Sequence, residues 1–163
     1  MVTSACCGCG AVLPAVDRPT HPYILSSPAC WATYGEISAR TYQDPRRQGV
    51  LQVQVYAYAV QHPGVPGRRA AQSVGIHLMT LCLVFERGAD PREGPRLHNQ
   101  MVQRPVFHWL EPPPDRGDVT VLDVLATSSP EGHIAAVNEW GRSVWDAWAP
   151  HHAIVRDWLD LGR

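Results

Sequence analysis

The chain opens with Cys6-Cys7-Gly8-Cys9-Gly10, a C-x-x-C pair with a glycine directly behind its second cysteine. Thiolates at that spacing face one ion across a tight turn, and glycines at positions 8 and 10 let backbone N–H groups approach the sulfurs. The first segment therefore has the shape of a zinc knuckle, and a metal is expected there. Cys6 and Cys9 supply two of the four ligands of a tetrahedral zinc, so other parts of the chain must come to them.

At 163 residues the chain has room for one proper hydrophobic core, and a single domain over 1–163 is expected. Lys+Arg 14 against Asp+Glu 15 leaves a formal charge of -1, which gives no electrostatic footprint for nucleic acid or an anionic membrane surface. No basic segment followed by an apolar run opens the sequence, and no stretch approaches the ~18 apolar residues of a membrane span. A soluble, cytoplasmic protein is expected, with no nucleic acid and no membrane among its partners; a small-molecule substrate or a protein partner stays open. The cysteines number 5, an odd count clustered towards one end, which suits metal ligation in a reducing compartment better than a disulfide framework. Cys82, inside an apolar helix, reads as an ordinary buried thiol.

Helices separated by proline-rich connections dominate the rest, with no convincing run of alternating strands. The fold class expected is mainly α: a four-helix bundle-like single domain with an irregular N-terminal zinc-knuckle flap. Residues 1–29 form the Cys-containing lead-in, kept extended by Pro14, Pro19, Pro22 and Pro28 and packed on a helical body over 30–163. A first helix starts near Cys30 and runs through Trp31, Tyr34 and Ile37 toward Tyr42, where Asp44-Pro45 stops it. A second covers about Val50 to Gln61 and ends at His62-Pro63-Gly64, its Val/Tyr content leaving strand as the alternative. A third, from Gly67 to Arg87, places Val74, His77, Leu78, Leu81 and Phe85 on one face. Residues 88–117 read as a long proline- and glycine-rich loop, pinned back by Phe107, Trp109 and Leu110. Asp118 is placed to cap a short helix through Val121, Leu122 and Leu125, and a last helix runs from Pro130 to Leu161, kinked or split at Pro150. Val144, Trp145, Trp148, Val155, Trp158 and Leu159 give that last element a wide buried face.

Cys30 is the leading third ligand, because a cysteine at a helix start lies in the positive end of the helix dipole, which favours the thiolate. His21 and His62 compete for the fourth position, with water as a third option. Cys7 is a bystander, with substitution for Cys6 the alternative. A second constellation draws on His62, His77 and the pair His151-His152: three imidazoles from three helices make an open metal site with a position left for water or substrate. Taken singly, each of these histidines reads first as a hydrogen-bonded core or helix-end residue; His21, His98, His108 and His133 have weaker claims as ligands. Glu86, Asp146 and Asp157 are the carboxylates nearest in pattern, all readable as solvated helix residues. Arg68 and Arg69 open the third helix and suit a carboxylate or phosphate, or are plain surface charge. There is no G-x-S-x-G, phosphate loop, dinucleotide fingerprint or H-E-x-x-H.

The combination of C-x-x-C-G at Cys6 to Gly10, Cys30-Trp31, Tyr56 through Gln61-His62-Pro63-Gly64, Gln72-Ser73-Val74 with His77-Leu78, and Trp145-x-x-Trp148-x-x-His151-His152-x-x-Val155-Arg156 resembles an uncharacterised bacterial family of similar length, domain of unknown function 5946. The resemblance spans nearly the whole chain and ties Cys6, Cys9, Cys30, His62 and His77 together; it brings no activity with it. A looser likeness is to the DinB-type metal-binding four-helix proteins, which hold a metal with three histidines. Those take two histidines one turn apart on the last helix, whereas this chain has an adjacent pair, so the likeness is one of fold alone. Two functions are compatible with these residues. One is a metal-dependent hydrolase or group transferase centred on His62, His77 and His151 or His152. The other is a non-enzymatic binding or accessory module with a structural zinc, or another transition metal, on the cysteines.

Overall fold

The computed structural model describes residues 1–103 and 107–161 and is mainly α. Its elements are two short strands, β1 (Thr3–Ala5) and β2 (Val12–Pro14), then α1 (Pro28–Gln43), α2 (Leu51–Gln61), α3 (Arg68–Phe85), α4 (Gly94–Val102), α5 (Val121–Leu125), α6 (Pro130–Ala147) and α7 (His152–Asp160). Short 3-10 turns precede α2, α4 and α7. None of the described helices is long and apolar enough to cross a membrane.

Helix α2 lies at the centre, packed against α3 and α6. It is buried all round over Tyr56 to Gln61, and Ala57 and Ala59 let neighbouring helices come close. Its Val/Tyr content thus reflects burial on every side, not a strand. Its Tyr56 and Tyr58, and Trp140, Trp148, Leu78 and Leu81 around it, are almost wholly enclosed. On α6, Gly141 faces Val53 and Phe85 so closely that a Cβ there would collide with both. These residues belong to one continuous apolar cluster reaching from Leu13 in the lead-in to Leu159 in α7.

The helix ends follow from local chemistry. Ser27 caps α1 by accepting from the Cys30 amide at 3.2 Å, with Pro28 in the first turn, so the helix begins two residues before the expected Cys30. Ser129 and Pro130 start α6 in the same way. Pro150 splits the last helix into α6 and α7 through a 3-10 turn over Ala149–His151.

Three expectations are corrected. The lead-in is not wholly irregular: β1 and β2 pair antiparallel, with Ser4 opposite Leu13, and at three residues each they are too short to show alternation. The loop over 88–117 contains α4, whose buried residues are Gly94, Leu97 and Met101; Gly94 and Pro95 at its start read as loop but are tolerated in a first turn. The cap of α5 is Thr120, not Asp118. Thr120 and Asp123 form a reciprocal capping box, while the Asp118 amide donates to Ser143 Oγ at 3.0 Å. Of the expected clip, Phe107 lies over Gly75 and against Trp158 and Leu110 is buried, while Trp109 stays outside the core and donates Nε1 to Glu111 at 3.1 Å.

Candidate metal centre

Between β1 and β2 the chain makes a tight loop. The Cys6 amide donates to Ala11 O at 2.9 Å and the Gly10 amide to Cys6 O at 2.8 Å, with Gly10 at φ 75, a conformation that favours glycine. This turns Cys6 and Cys9 towards the start of α1 and the end of α2. Ligand atoms of Cys6, Cys9, Cys30 and His62 then lie within 4.8 Å of one another. Cys30 and His62 are fully enclosed, Cys6 is 3 % exposed and Cys9 is half-buried.

The spacing can be tested against a metal. A tetrahedral ion with Zn–S of about 2.3 Å and Zn–N of about 2.0 Å sets its ligand atoms about 3.8 Å apart for S···S and about 3.5 Å for S···N. Cys9 Sγ and Cys30 Sγ are 3.8 Å apart, and Cys30 Sγ and His62 Nε2 are 3.5 Å apart. These separations are too long for strong hydrogen bonds and correct for shared ligation.

The surrounding contacts orient each ligand. His62 Nδ1 lies 2.7 Å from Tyr58 O; a carbonyl only accepts, so Nδ1 carries the proton and Nε2 presents its lone pair to the cysteines. Tyr58, one turn earlier on α2, stacks on the imidazole at 4.0 Å and sends its hydroxyl to Cys30 Sγ at 3.6 Å. The Ser27 amide donates to Cys6 Sγ at 3.3 Å, and Cys30 sits in the first turn of α1, where the helix dipole favours a thiolate. Gly8 packs flat against the ring of His62, and any side chain there would overlap it. Arg116, from the segment before α5, donates to the carbonyls of Gly8 at 2.8 Å and Cys7 at 3.3 Å and so ties the knuckle to the body.

The thiols perturb one another. Hydrogen bonds from Cys30 and Cys9 push the Cys6 thiol far below its usual range. Hydrogen bonding to Cys6 and Cys9, together with burial, pushes Cys30 far above it. One thiolate is thus stabilised at the expense of the others; a bound cation is what would let all three be thiolates at once.

Among the described residues this is the one group of three or more His, Cys, Asp or Glu that brings ligand atoms together. Of the sequence candidates, Cys6, Cys9, Cys30 and His62 meet. Cys7 points away, its Sγ near Leu25 O at 3.7 Å, and His21 lies against Tyr23 and Trp31 instead. The three-imidazole centre does not form. His151 Nε2 is 2.7 Å from Glu111 O and His152 Nε2 is 2.8 Å from Trp145 O, so both donate to backbone carbonyls. His152 also stacks flat on Trp145 at 3.7 Å. His152 thus satisfies a carbonyl of the α6 end before Pro150, while His151 is tied to the segment before α5. His77 stands with Ser73 and His98 in a cleft of its own. His133 is enclosed in a polar cluster with Thr41, 3.0 Å away, and Glu86 is held by Arg156 through two 2.8 Å bonds.

The sequence reading passed over Tyr58, Ser27 and Arg116. Tyr58 had a signal, since it lies four residues before His62 on one helix and the two must face the same way. Gln61 was read only as part of a motif, yet it is wholly buried: its amide donates to Val119 O at 2.9 Å and its oxygen accepts from Trp140 Nε1 at 2.9 Å. In the Gln-His-Pro-Gly segment, Gln61 holds the chain before α5, His62 joins the cysteines, and Gly64, at φ 79, lets the Tyr23 backbone pass.

Fold and site together define a small helical protein with a Cys3His group binding its N-terminal hairpin to the helices. Residues 4–149 match a family of unknown function (DUF5946), and because that is most of the chain the protein belongs to this family. No curated protein and no solved structure matches the chain, and the DinB-type likeness finds no support there.

Proposed function

We propose that the protein binds one zinc ion through Cys6, Cys9, Cys30 and His62, and that this zinc is structural: it fastens the hairpin to the ends of α1 and α2 in a non-enzymatic binding or accessory module. The observation that carries this reading is the complete donor set, four protein ligand atoms within 4.8 Å of one another, two of the separations at the 3.8 Å and 3.5 Å of a tetrahedral ion and two of the residues fully enclosed. Catalytic zinc keeps a coordination position for water or substrate, and a closed set of four leaves none. Three soft thiolates with one imidazole favour zinc over harder divalent ions. All of the cysteines are free, which agrees with a reducing compartment such as the cytoplasm. A hydrolase or transferase built on several histidines loses its geometric basis once His151 and His152 are committed to backbone carbonyls.

Elemental analysis of untagged protein tests this. One zinc per chain is expected in wild type, in Cys7→Ser and in His77→Ala, and none in Cys9→Ser, which should lose thermal stability with its metal. A metal that survives Cys9→Ser but leaves with His77→Ala would overturn the proposal.

A further inference from the structure

Beside the metal centre, α3 and α4 diverge around a cleft of about 320 Å³. One wall is a stripe of α3, Arg69, Gln72, Ser73, Ile76 and His77, at the spacing of a single helix face. His98 and Val102 of α4 stand opposite, and Tyr23 from the lead-in closes one side. A helix face turned towards a neighbour is ordinarily apolar, and this one is mostly polar.

The arginine there lacks a carboxylate partner. Among the described arginines, Arg40, Arg46, Arg47, Arg87, Arg92, Arg96 and Arg156 pair with carboxylates, Arg116 binds carbonyls and Arg142 lies over Phe85. Arg18, Arg68 and Arg69 have no such partner, and two of those three open α3. That helix is 18 residues long, begins without a side-chain cap and carries no acidic residue in its first turn, so its positive end is uncompensated. His77 is an independent second sign. It is only 8 % exposed and uses Nδ1 on Ser73 Oγ at 3.3 Å, leaving Nε2 without a protein partner on the cleft wall. Burial, reinforced by His98, holds its imidazole neutral with its pKa lowered to about 3, so one ring nitrogen is free to accept or donate a hydrogen bond to a ligand without bringing charge.

We infer that this cleft is a binding site for a small organic anion, whose carboxylate or phosphate pairs with Arg69 and whose uncharged polar end reaches His77 and His98. Gln72 and Ser73 lie between the two ends, and Ile76, Val102 and Tyr23 supply the apolar walls that such sites combine with a few polar groups. The volume admits a metabolite and excludes a folded chain. This site is separate from the zinc centre and stands whether or not the metal there is zinc.

Two-dimensional NMR of the zinc-loaded protein, titrated separately with inorganic phosphate and with succinate, tests the inference. Saturable shifts confined to Arg69, Gln72, Ser73, His77 and His98 are expected, with dissociation constants of about 1–10 mM for such bare probes. Stronger response to one probe identifies which oxyanion the site takes. Arg69→Gln, an exposed position with no contact to lose, should weaken binding by about tenfold or more while leaving the remaining spectrum in place. Arg18→Gln should change nothing. Shifts that do not saturate, that are equally strong around Arg18, or that persist in Arg69→Gln would overturn the inference.

Discussion

Between Met1 and Ser27 only Cys6, Ala11, Leu13 and Ser26 are buried, whereas α2 alone buries eight of its eleven residues. The hairpin of the lead-in has three residues per strand, and a two-stranded hairpin of that size is not stable alone in water. The helical body has a continuous core of tryptophan, tyrosine and aliphatic side chains. With the proposed zinc in place, the two regions would be held by different means: apolar burial in the body, and in the lead-in ligand bonds added to the few apolar contacts of Ala11 and Leu13. A segment rich in glycine and proline with little apolar area acquires a fixed place when its side chains share an ion with residues of the body, Cys30 and His62.

The largest effect should come from removing the shared ligand. Cys30→Ser is expected to abolish metal binding and to cost several kcal/mol, because it opens the joint between the regions. Hydrogen exchange should then show the Cys6, Gly10 and Ala15 amides losing protection first, with α3 and α6 still protected. Trp140→Ala should reverse the pattern. It removes a fully buried ring and costs about 3–5 kcal/mol in chemical denaturation, yet the variant that folds should keep its full metal content.

Gln61→Ala strikes the seam. It leaves Trp140 Nε1 and the Val119 carbonyl without partners and is expected to cost about 2–3 kcal/mol, readable as a lower denaturation midpoint. Acid should act through His77. Its folded pKa, about 3, lies below the unfolded value near 6.5, so the unfolded chain takes up the proton first. The stability this contributes is complete above about pH 6.5 and declines as pH falls towards 3. His77→Gln should flatten the fall between pH 7 and pH 5 at constant zinc. The smallest effect belongs to Glu86, which the Arg156 guanidinium holds at about 2. That pairing stabilises above the usual carboxylate range and is lost as pH falls from about 4.5 to 2; solvent screens Arg156, so Glu86→Gln should cost under about 1 kcal/mol.

The two regions also differed in how far they could be read in advance. Helices α1, α2, α3 and the split pair α6 and α7 follow from apolar periodicity interrupted by Asp44-Pro45, His62-Pro63-Gly64 and Pro150, signals that act within a few residues. Helix α4 was hidden because only two buried apolar side chains, Leu97 and Met101, leave almost no period to detect, and the surfaces it packs on lie in α3 and α2. At the metal centre, ligand chemistry pointed to the C-x-x-C pair and to Cys30 at a helix start, and left His62 level with His21. What separates these two is tertiary: the Tyr58 carbonyl fixes the tautomer of His62, and Gly8 leaves room for its ring. The histidine pair misled because adjacency to tryptophans on an amphipathic face suggests a core position, while the break at Pro150 turns both rings onto backbone carbonyls.

X-ray absorption at the zinc edge of the purified protein addresses the closed Cys3His centre most directly. Three sulfurs at about 2.3 Å and one nitrogen at about 2.0 Å, unchanged in Cys7→Ser, is the predicted first shell. A shell with fewer sulfurs and an oxygen from water, or one that changes in His77→Ala, would contradict the account and return the metal to an open, reactive role.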